Sequence, residues 1–307
     1  MTSSSLALPL RAPRTLARHP LVGRYAPVVT MVLALMVIWY IAAVAMNWNL
    51  VRDGFEREET PYTATDVLAG TMSAERPLLP APHQIVSTFV DSVFGYPPLA
   101  PRSLVYHSLV TLSATLIGFV LGAVFGTVLA LMIVHSRVLE RSLLPWIICS
   151  QMVPIVALAP IFIVVLGAIG LTGLLPKSLI SAYLCFFPIT IGMVKGFTSP
   201  DPLQLELMQT WSATPRQVLW KLRWPSAVPY LFASLKVAIT ISLIGAIVAE
   251  LPTGAEAGIG ARLLAGSYYG QTVQLWAALV AAAVLSSGLI GIVSLIERLV
   301  ARRMGAH

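Results

Sequence analysis

Long apolar stretches separated by short polar segments dominate the amino-acid sequence. A helix that crosses a lipid bilayer needs about 20 consecutive apolar residues, and six stretches of the chain meet or approach that length. Their predicted bounds are 25–51, 103–134, 143–170, 178–194, 228–249 and 273–296. The pattern therefore predicts an all-α membrane protein with six transmembrane helices.

The polar segments divide the chain into a first helix, an outer segment and a core. The predicted divisions are a tail over 1–24, a transmembrane helix over 25–51, an external segment over 52–102, a five-helix core over 103–299 that includes a cytoplasmic loop at 195–227, and a tail over 300–307. In the external segment, apolar residues recur at helical spacing near 82–95. That spacing fits equally an interfacial helix on the membrane surface and a short helix packed on its own protein.

Composition and charge support a membrane location and indicate an orientation. Of the 307 residues, 57% are hydrophobic and 11% are charged, whereas a soluble domain carries roughly 25% charged residues. Thirteen Lys or Arg and four acids lie on the side with both tails and the 195–227 loop, against six and nine on the other side. The positive-inside bias therefore predicts a protein of the inner membrane with both termini in the cytoplasm. Because no basic run is interleaved with aromatic residues, the net charge of +7 does not indicate nucleic-acid binding.

Glycines recur at every fourth position of the second predicted span, at Gly118, Gly122 and Gly126. This spacing puts them on one face of a helix, where small residues let another backbone approach closely. We predict a helix-packing stripe, in preference to the plainer explanation that glycine is common in membrane helices.

Prolines and polar side chains interrupt the third predicted span. Pro145, Pro154 and Pro160 disturb its helical hydrogen bonds, and a membrane tolerates freed carbonyls where they find partners or line a cavity. Ser150 and Gln151 lie beside Pro154. These residues are candidates for a translocation pathway, with ordinary hydrogen bonding between helices as an equal alternative.

A second candidate part of the pathway follows the fifth predicted span. The segment "AELPTGAEAGIG" contains Glu250, Gly258 and Gly260. Its glycine-rich part at 254–260 fits an outer gate and a plain turn equally well.

Several kinds of chemistry find no support in the sequence. No ionisable residue lies convincingly at the centre of a span, where ion-coupled transporters carry one. None of the four Lys residues belongs to the Gly-Lys-Ser/Thr sequence that binds nucleotide phosphates, so active transport requires energy from another chain. The five His residues are scattered and Cys149 and Cys185 lie in apolar spans. We therefore predict neither a catalytic residue, a metal site nor a cofactor in this chain.

The polar stretch "ELMQTWSATPRQVLWKLRWPSAVPYL" follows the fourth span. Asp201-Pro202 and Thr214-Pro215 both begin a helix, since each pairs an N-cap residue with a proline at the first helical position. Pro225 is expected to end the second helix. The pattern predicts two amphipathic helices joined by a tight turn at Ser212-Ala213. We expect the apolar face to pack on the membrane helices and the polar face to bind a soluble partner, in preference to a helix on lipid headgroups.

This stretch resembles the EAA loop of ABC importer permeases, whose pattern is E-A-A-x-x-x-G followed by a later apolar-Pro step. Glu206 matches the Glu, Leu207 and Met208 match the two Ala, Ser212 matches the Gly, and Trp224-Pro225 matches the later step. If the Gly position is left-handed, serine there costs on the order of 1 kcal/mol. The resemblance extends over about 80–300, and "PIVALAPIFIVVLGAIG" and "CFFPITIGMVKG" are similar to the nitrate, sulfonate and taurine branch, with details such as "SQMVP" closer to its pyrimidine-precursor members.

The resemblance implies the type I ABC importer permease fold, in which this loop forms a coupling helix that fits a cleft in an ATPase subunit. The positions assigned to ATPase coupling are Glu206, Leu207, Met208, Trp211, Ser212, Ala213, Thr214, Arg216, Gln217 and Lys221. Glu206 is expected to order the loop, and Arg216, Gln217 and Lys221 to contact the ATPase. The implied partners are a second permease subunit, two ATPase subunits that bind ATP and magnesium, and an extracytoplasmic solute-binding protein. The alternative is a secondary transporter or channel that works alone.

Overall fold

A computed structural model describes residues 20–252 and 257–304, with side chains from Tyr25 onward. Most of the predicted tail over 1–24, and Thr253 to Glu256 of the predicted outer gate, lie outside the described residues. The described helices are α1 (Pro20–Arg57), α2 (Ala64–Ser73), α3 (Pro82–Phe94), α4 (Leu104–His135), α5 (Arg137–Ser150), α6 (Ile155–Ala168), α7 (Leu174–Phe197), α8 (Pro202–Thr210), α9 (Pro215–Val218), α10 (Trp224–Ala249), α11 (Ile259–Tyr268) and α12 (Thr272–Arg303). A π-helical turn, Leu219–Arg223, joins α9 to α10. The described part of the chain contains no β-strand.

Five helices are long and apolar enough to cross a membrane, or six spans if one bent pair counts as a span. The all-helical membrane fold predicted from the sequence is therefore confirmed. The third predicted span is the bent pair, since α5 and α6 meet at 96° instead of forming one straight helix. Pro154 lies at the bend as the N-cap of α6, and a proline there lacks the N–H that would continue α5.

The first of two compact units extends to Met72 and contains α1 and most of α2. A Cβ added to Gly70 would lie 2.6 Å from Val51 Cγ1, so this glycine allows α2 to approach α1 closely. The N–H and the hydroxyl of Thr63 donate to Asp66 Oδ2 at 2.8 Å and 2.6 Å. These two hydrogen bonds begin α2 and hold the pKa of the Asp66 carboxyl below its ordinary value.

The second unit, from Ser73, begins with the amphipathic helix α3. Its Phe89 and Val93 pack against a buried cluster that also includes residues of α4, α11 and α12. Its other apolar stripe is exposed, with Val86 at 62%, Val90 at 44% and Phe94 at 79%. The helix thus packs on its own protein with one face, and the interfacial location remains a prediction for the other face.

Helices α4, α7 and α10 form the core of the second unit. The glycine stripe of α4 lies directly against α7, because a Cβ on Gly118 or Gly122 would come within 2.3 Å of Ser181 Cβ or Cys185 Sγ. Cys185, Ile189 and Met193 of α7 are fully buried at the centre of this packing. The three helices are also joined by hydrogen bonds from the Ser181 hydroxyl to Ser242 O (3.0 Å) and from the Ser242 hydroxyl to Thr115 O (2.9 Å).

The two ends of this bundle carry different structures. Helix α7 leads into α8 and α9, and α10 starts beside them, so we call this the loop end. Helix α10 ends at the opposite end, followed by α11, and we call that the α11 end. Midway along α10, Lys236 forms an ion pair of 2.5 Å with Glu297 of α12.

Candidate functional site

The loop over 201–224 begins with the two helices that its sequence predicts. Asp201 caps α8 by accepting a hydrogen bond from the N–H of Leu203 at 2.8 Å. Thr214 and Gln217 cap α9 reciprocally: the N–H of Thr214 donates to Gln217 Oε1 at 2.8 Å, and the N–H of Gln217 donates to Thr214 Oγ1 at 3.3 Å. This capping box satisfies two otherwise unpaired N–H groups. The Gln217 side chain is therefore already hydrogen-bonded within the loop. It is less free to contact a partner than the side chains of Arg216 and Lys221.

The turn between α8 and α9 has a left-handed residue at Ser212, with φ of 51°. The N–H of Ala213 donates to Met208 O at 3.0 Å and the N–H of Ser212 donates to Gln209 O at 2.8 Å. This pair of bonds is the Schellman arrangement, in which the left-handed position is usually glycine. The turn predicted at Ser212-Ala213 is confirmed, and the Gly of the EAA pattern falls on the position that requires positive φ.

Helix α9 does not end at Pro225, and that prediction was wrong. The chain remains helical from Pro215 to Ala249. The N–H of Trp224 bonds to Leu219 O, five residues earlier, so the turn before the proline is widened to a π-helical one. A π-turn relieves the crowding between a proline ring and the preceding turn, which explains how the helix passes through Pro225.

The apolar side chains of α8 are exposed, contrary to the prediction that they pack on the membrane helices. Leu203 and Trp211 are each 72% exposed and Leu207 is 50% exposed, while Met208 is partly buried. Within α8 only Leu205 and Met208 are partly buried, and the other residues of this short helix are exposed. Glu206 is exposed and makes no side-chain hydrogen bond with any residue that the structure describes, so ordering of the loop by Glu206 through helix N-terminal charge stays a prediction.

The bend between α5 and α6 carries the first group of pathway candidates. Ser150 is the last residue of α5, Gln151 is its C-cap and Pro154 is the N-cap of α6. The Gln151 amide donates to the Ser150 hydroxyl at 3.3 Å. Ser150 and Gln151 are partly buried. Their role in a pathway stays a prediction.

Tyr183 of α7 is a residue at this bend that sequence reasoning missed. Its hydroxyl donates to the backbone carbonyl of Ser150, one of the carbonyls left without a helical partner where α5 ends. The ring lies beside two others, with centroid distances of 6.2 Å to Phe162 and 6.1 Å to Phe186. An apolar run containing one Tyr gives no sign of this contact, because the partner lies on a different helix.

The second group of pathway candidates lies at the α11 end, where Glu250 is fully buried. The Thr111 hydroxyl and the N–H of Gly260 donate to Glu250 Oε2 at 2.8 Å and 3.0 Å. Lys177 Nζ lies 3.6 Å from Glu250 Oε1 and donates to Ala257 O at 2.9 Å. Glu250 therefore collects contacts from α4, α7 and the start of α11, and its place along a pathway stays a prediction.

The start of α11 is bound by two further side-chain contacts from α4. The N–H of Gly258 donates to His107 Nδ1 at 3.0 Å, and the N–H of Ile259 donates to Thr111 Oγ1 at 2.8 Å. His107 Nε2 lies 2.9 Å from Pro101 O, so Nε2 carries the proton and Nδ1 is the acceptor. We call His107, Thr111, Lys177 and Glu250, together with the 257–260 backbone that they bind, the clasp.

Glycine is required at two positions of the clasp. Gly258 has φ of 126°, and a Cβ there would lie 2.1 Å from the Glu250 carboxyl carbon. A Cβ on Gly260 would lie 2.2 Å from Ile247 O. Gly258 and Gly260 therefore permit the backbone to approach Glu250 and α10, and the glycine-rich segment is more than an unconstrained turn where the structure describes it.

An all-helical membrane protein with a bent span and a two-helix loop at one end has an architecture compatible with a membrane transport subunit. The comparisons with known proteins specify the class further. Residues 108–306 match the family described as "Binding-protein-dependent transport system inner membrane component". The chain belongs to this family and is a permease component of an ABC transporter.

Three named relatives differ in the solute for which each is named. The formylaminopyrimidine transport permease protein ThiX of Halalkalibacterium halodurans is 33% identical over 63% of this chain and 72% of its own length. The riboflavin transport system permease protein RibX of Chloroflexus aurantiacus is 32% identical over 73% and 80%. The putative aliphatic sulfonates transport permease protein SsuC of Bacillus subtilis is 26% identical over 76% and 80%.

Proposed function

We propose that this chain is the transmembrane subunit of an ATP-driven importer and that its 201–224 loop binds a separate ATPase subunit. The observation that carries the proposal is the loop itself: two capped helices present Leu203, Leu207 and Trp211 to solvent. Large apolar side chains exposed together mark interaction surfaces. Trp is also the residue type most enriched among the energetic centres of interfaces.

The proposed assembly follows from the family. Two copies of this chain would form the pathway at their interface, two ATPase subunits would bind the loops with ATP and magnesium, and an extracytoplasmic solute-binding protein would deliver the solute. The loop end would face the cytoplasm together with both termini, as the distribution of Lys and Arg indicates.

The proposed solute is a planar nitrogen heterocycle of the pyrimidine or vitamin-precursor kind. Two of the relatives above are named for such solutes, formylaminopyrimidine and riboflavin, and they are 33% and 32% identical. The relative named for aliphatic sulfonates is 26% identical. The aromatic rings of Phe162, Tyr183 and Phe186 beside the bend could stack on such a ring system.

The docking role of the loop is tested by binding of the ATPase subunit to membranes that contain this chain. Trp211→Ala and Leu207→Ala should each weaken binding by about tenfold or more, because a buried apolar anchor is lost. Trp146→Ala is the matched control, since Trp146 of α5 is 77% exposed and lies outside the loop. Equal binding by all variants would refute the proposed dock.

The transport function is tested by uptake into proteoliposomes that hold the whole complex. The measured quantity is the uptake of a labelled pyrimidine. Unlabelled pyrimidines and flavins should reduce this uptake by competition, whereas aliphatic sulfonates and bicarbonate should not. Uptake that continues without any ATPase subunit would favour a stand-alone transporter or channel. Competition by sulfonates alone would reject the heterocycle.

A further inference from the structure

Helix α10 joins the loop end to the clasp as part of one continuous helix. The helical run from Pro215 to Ala249 begins within the loop, and the next residue, Glu250, is the C-cap of α10. Its N–H still bonds to Ala246 O at 3.2 Å, so the carboxylate is fixed to the end of the helix. A displacement of α10 at the loop end therefore moves Glu250 as well.

Through the contacts of the clasp, the position of Glu250 affects where α11 begins. Four successive residues at the start of α11 each use a backbone group to bind a side chain of the clasp: Ala257 to Lys177, Gly258 to His107, Ile259 to Thr111, and Gly260 to Glu250. The first N–H groups of a helix have no partner within the helix. Here they are bonded to α4 and to Glu250 of α10, so α11 has its starting position set by those two helices.

The chemistry of Glu250 makes this contact strong. A hydrogen bond to a carboxylate is roughly twice as strong as a neutral one, and burial removes the competition from water. The Glu250 side chain is fully buried, and Lys177 beside it is 14% exposed. Removing the carboxylate would leave the N–H of Gly260 without its acceptor and Lys177 without its opposite charge, with only the Ala257 carbonyl still bonded to Lys177.

We propose that Glu250 is a positioning residue through which movement of α10 relocates the start of α11 during the transport cycle. The proposal rests on the proposed function, in which the loop binds the ATPase and so moves when nucleotide is bound. In this proposal Glu250 connects α10 to the start of α11 inside the protein and does not contact the solute.

Hydrogen–deuterium exchange of the complete complex in lipid nanodiscs tests the proposal. The complex is compared without nucleotide and with ATP trapped by vanadate. In the wild type, exchange in both 203–223 and 257–268 should differ between the two states, the latter by about tenfold. In Glu250→Gln, the difference in 257–268 should fall below about twofold, whereas the difference in 203–223 should persist, because the neutral amide accepts a weaker hydrogen bond and turns its NH2 group toward one of the donors that face the carboxylate.

Ser242→Ala is the matched control. Ser242 also lies on α10 and its hydroxyl bonds to Thr115 O of α4 at 2.9 Å, but it does not belong to the clasp. This variant should keep the wild-type response in 257–268. If Ser242→Ala loses the response as well, or if Glu250→Gln keeps it, the assignment of Glu250 is overturned.

A second variant maintains the test if Glu250→Gln fails to assemble. Thr111→Val keeps the side-chain volume but removes the hydroxyl that links Glu250 to the N–H of Ile259, and it should reduce the response in 257–268, since only the direct bond from Gly260 to Glu250 then remains. A wild-type response in Thr111→Val would overturn the proposal. A failure of the proposed function gives a different result, since exchange in 203–223 would then not differ between the nucleotide-free and the ATP-trapped complex, even in the wild type.

Discussion

Ser212 shows how a single backbone angle connects a sequence pattern to a turn. The position is left-handed, with φ of 51°, and it closes the Schellman arrangement at the end of α8. Glycine adopts this conformation without a steric penalty, which gives a physical reason for the Gly in the EAA pattern. Serine can occupy the position at a cost, and its presence here leaves the turn intact.

Replacing Ser212 by glycine should stabilise the turn by about 1 kcal/mol, because the strain of a left-handed serine is removed. Exchange of the 208–213 amides measures the change and should become slower. Thr210→Gly is the control with the opposite sign, since Thr210 is the last residue of α8 and glycine within a helix is destabilising. Faster exchange in Ser212→Gly would contradict the explanation.

The α4 glycine stripe makes a second prediction for single residues. A Cβ on Gly122 would lie 2.3 Å from Cys185 Sγ and 3.0 Å from Ala182 O, so Gly122→Ala should separate α4 from α7. Overpacking of this kind costs about 1–3 kcal/mol, and the thermal unfolding of the detergent-solubilised protein should occur at a lower temperature. Gly291→Ala is the control, because nothing lies within 4 Å of a Cβ there. Equal effects of the two substitutions would argue against tight packing.

Helix starts were predictable from the sequence because their causes are local. Asp201-Pro202 and Thr214-Pro215 contain the cap and the first helical residue within two positions, and both helices start there. The clasp was not predictable in the same way. Thr111 and Glu250 are separated by 139 positions, and no spacing along the chain reveals that their side chains meet.

At the scale of helices, two prolines affect the chain differently: one lies at a bend and the other lies inside a continuous helix. Pro154 coincides with the 96° bend between α5 and α6, whereas Pro225 lies inside a helical run that continues to Ala249. The difference is the π-helical turn before Pro225. The expected helix end rested on the missing N–H and the steric clash of Pro225; a wider turn relieves the clash, while the missing N–H removes one hydrogen bond without ending the helix.

Tyr183→Phe tests the contact that holds the bend. The substitution removes the hydroxyl that donates to Ser150 O and keeps the ring next to Phe162 and Phe186. Loss of one partly buried hydrogen bond should destabilise the fold by about 1 kcal/mol, visible as a lower unfolding temperature. Tyr106→Phe is a suitable control, since the described contacts of Tyr106 include a ring contact with His107 and no hydroxyl bond.

Gln151→Leu tests whether the bend also belongs to the pathway. Leucine has a similar volume and cannot bond to the Ser150 hydroxyl. If Gln151 lines the pathway, uptake by the reconstituted complex should fall while the ATPase subunit remains bound. Normal uptake would remove Gln151 from the pathway and leave it as a residue that ends α5.

For the whole molecule, the distribution of charge predicts the orientation. Thirteen Lys or Arg residues belong to the segments that the sequence predicts on the side of the 195–227 loop, and the positive-inside bias predicts that this side is cytoplasmic. A fluorescent protein fused after His307 should therefore fluoresce in cells, and a cysteine in place of Arg76 should react with a membrane-impermeant reagent added outside. Labelling from the inside only would reverse the orientation.

Because α10 is long and continuous, a small tilt at one end produces a large displacement at the other end. Its 26 residues span about 39 Å at 1.5 Å per residue. A tilt of about five degrees about the loop end would displace the far end by about 3 Å, as much as the whole length of a hydrogen bond. The contacts around Glu250 are 2.8–3.0 Å long, so a rotation of α10 by only a few degrees would carry Glu250, and the start of α11 that it binds, through a distance comparable to the length of those contacts.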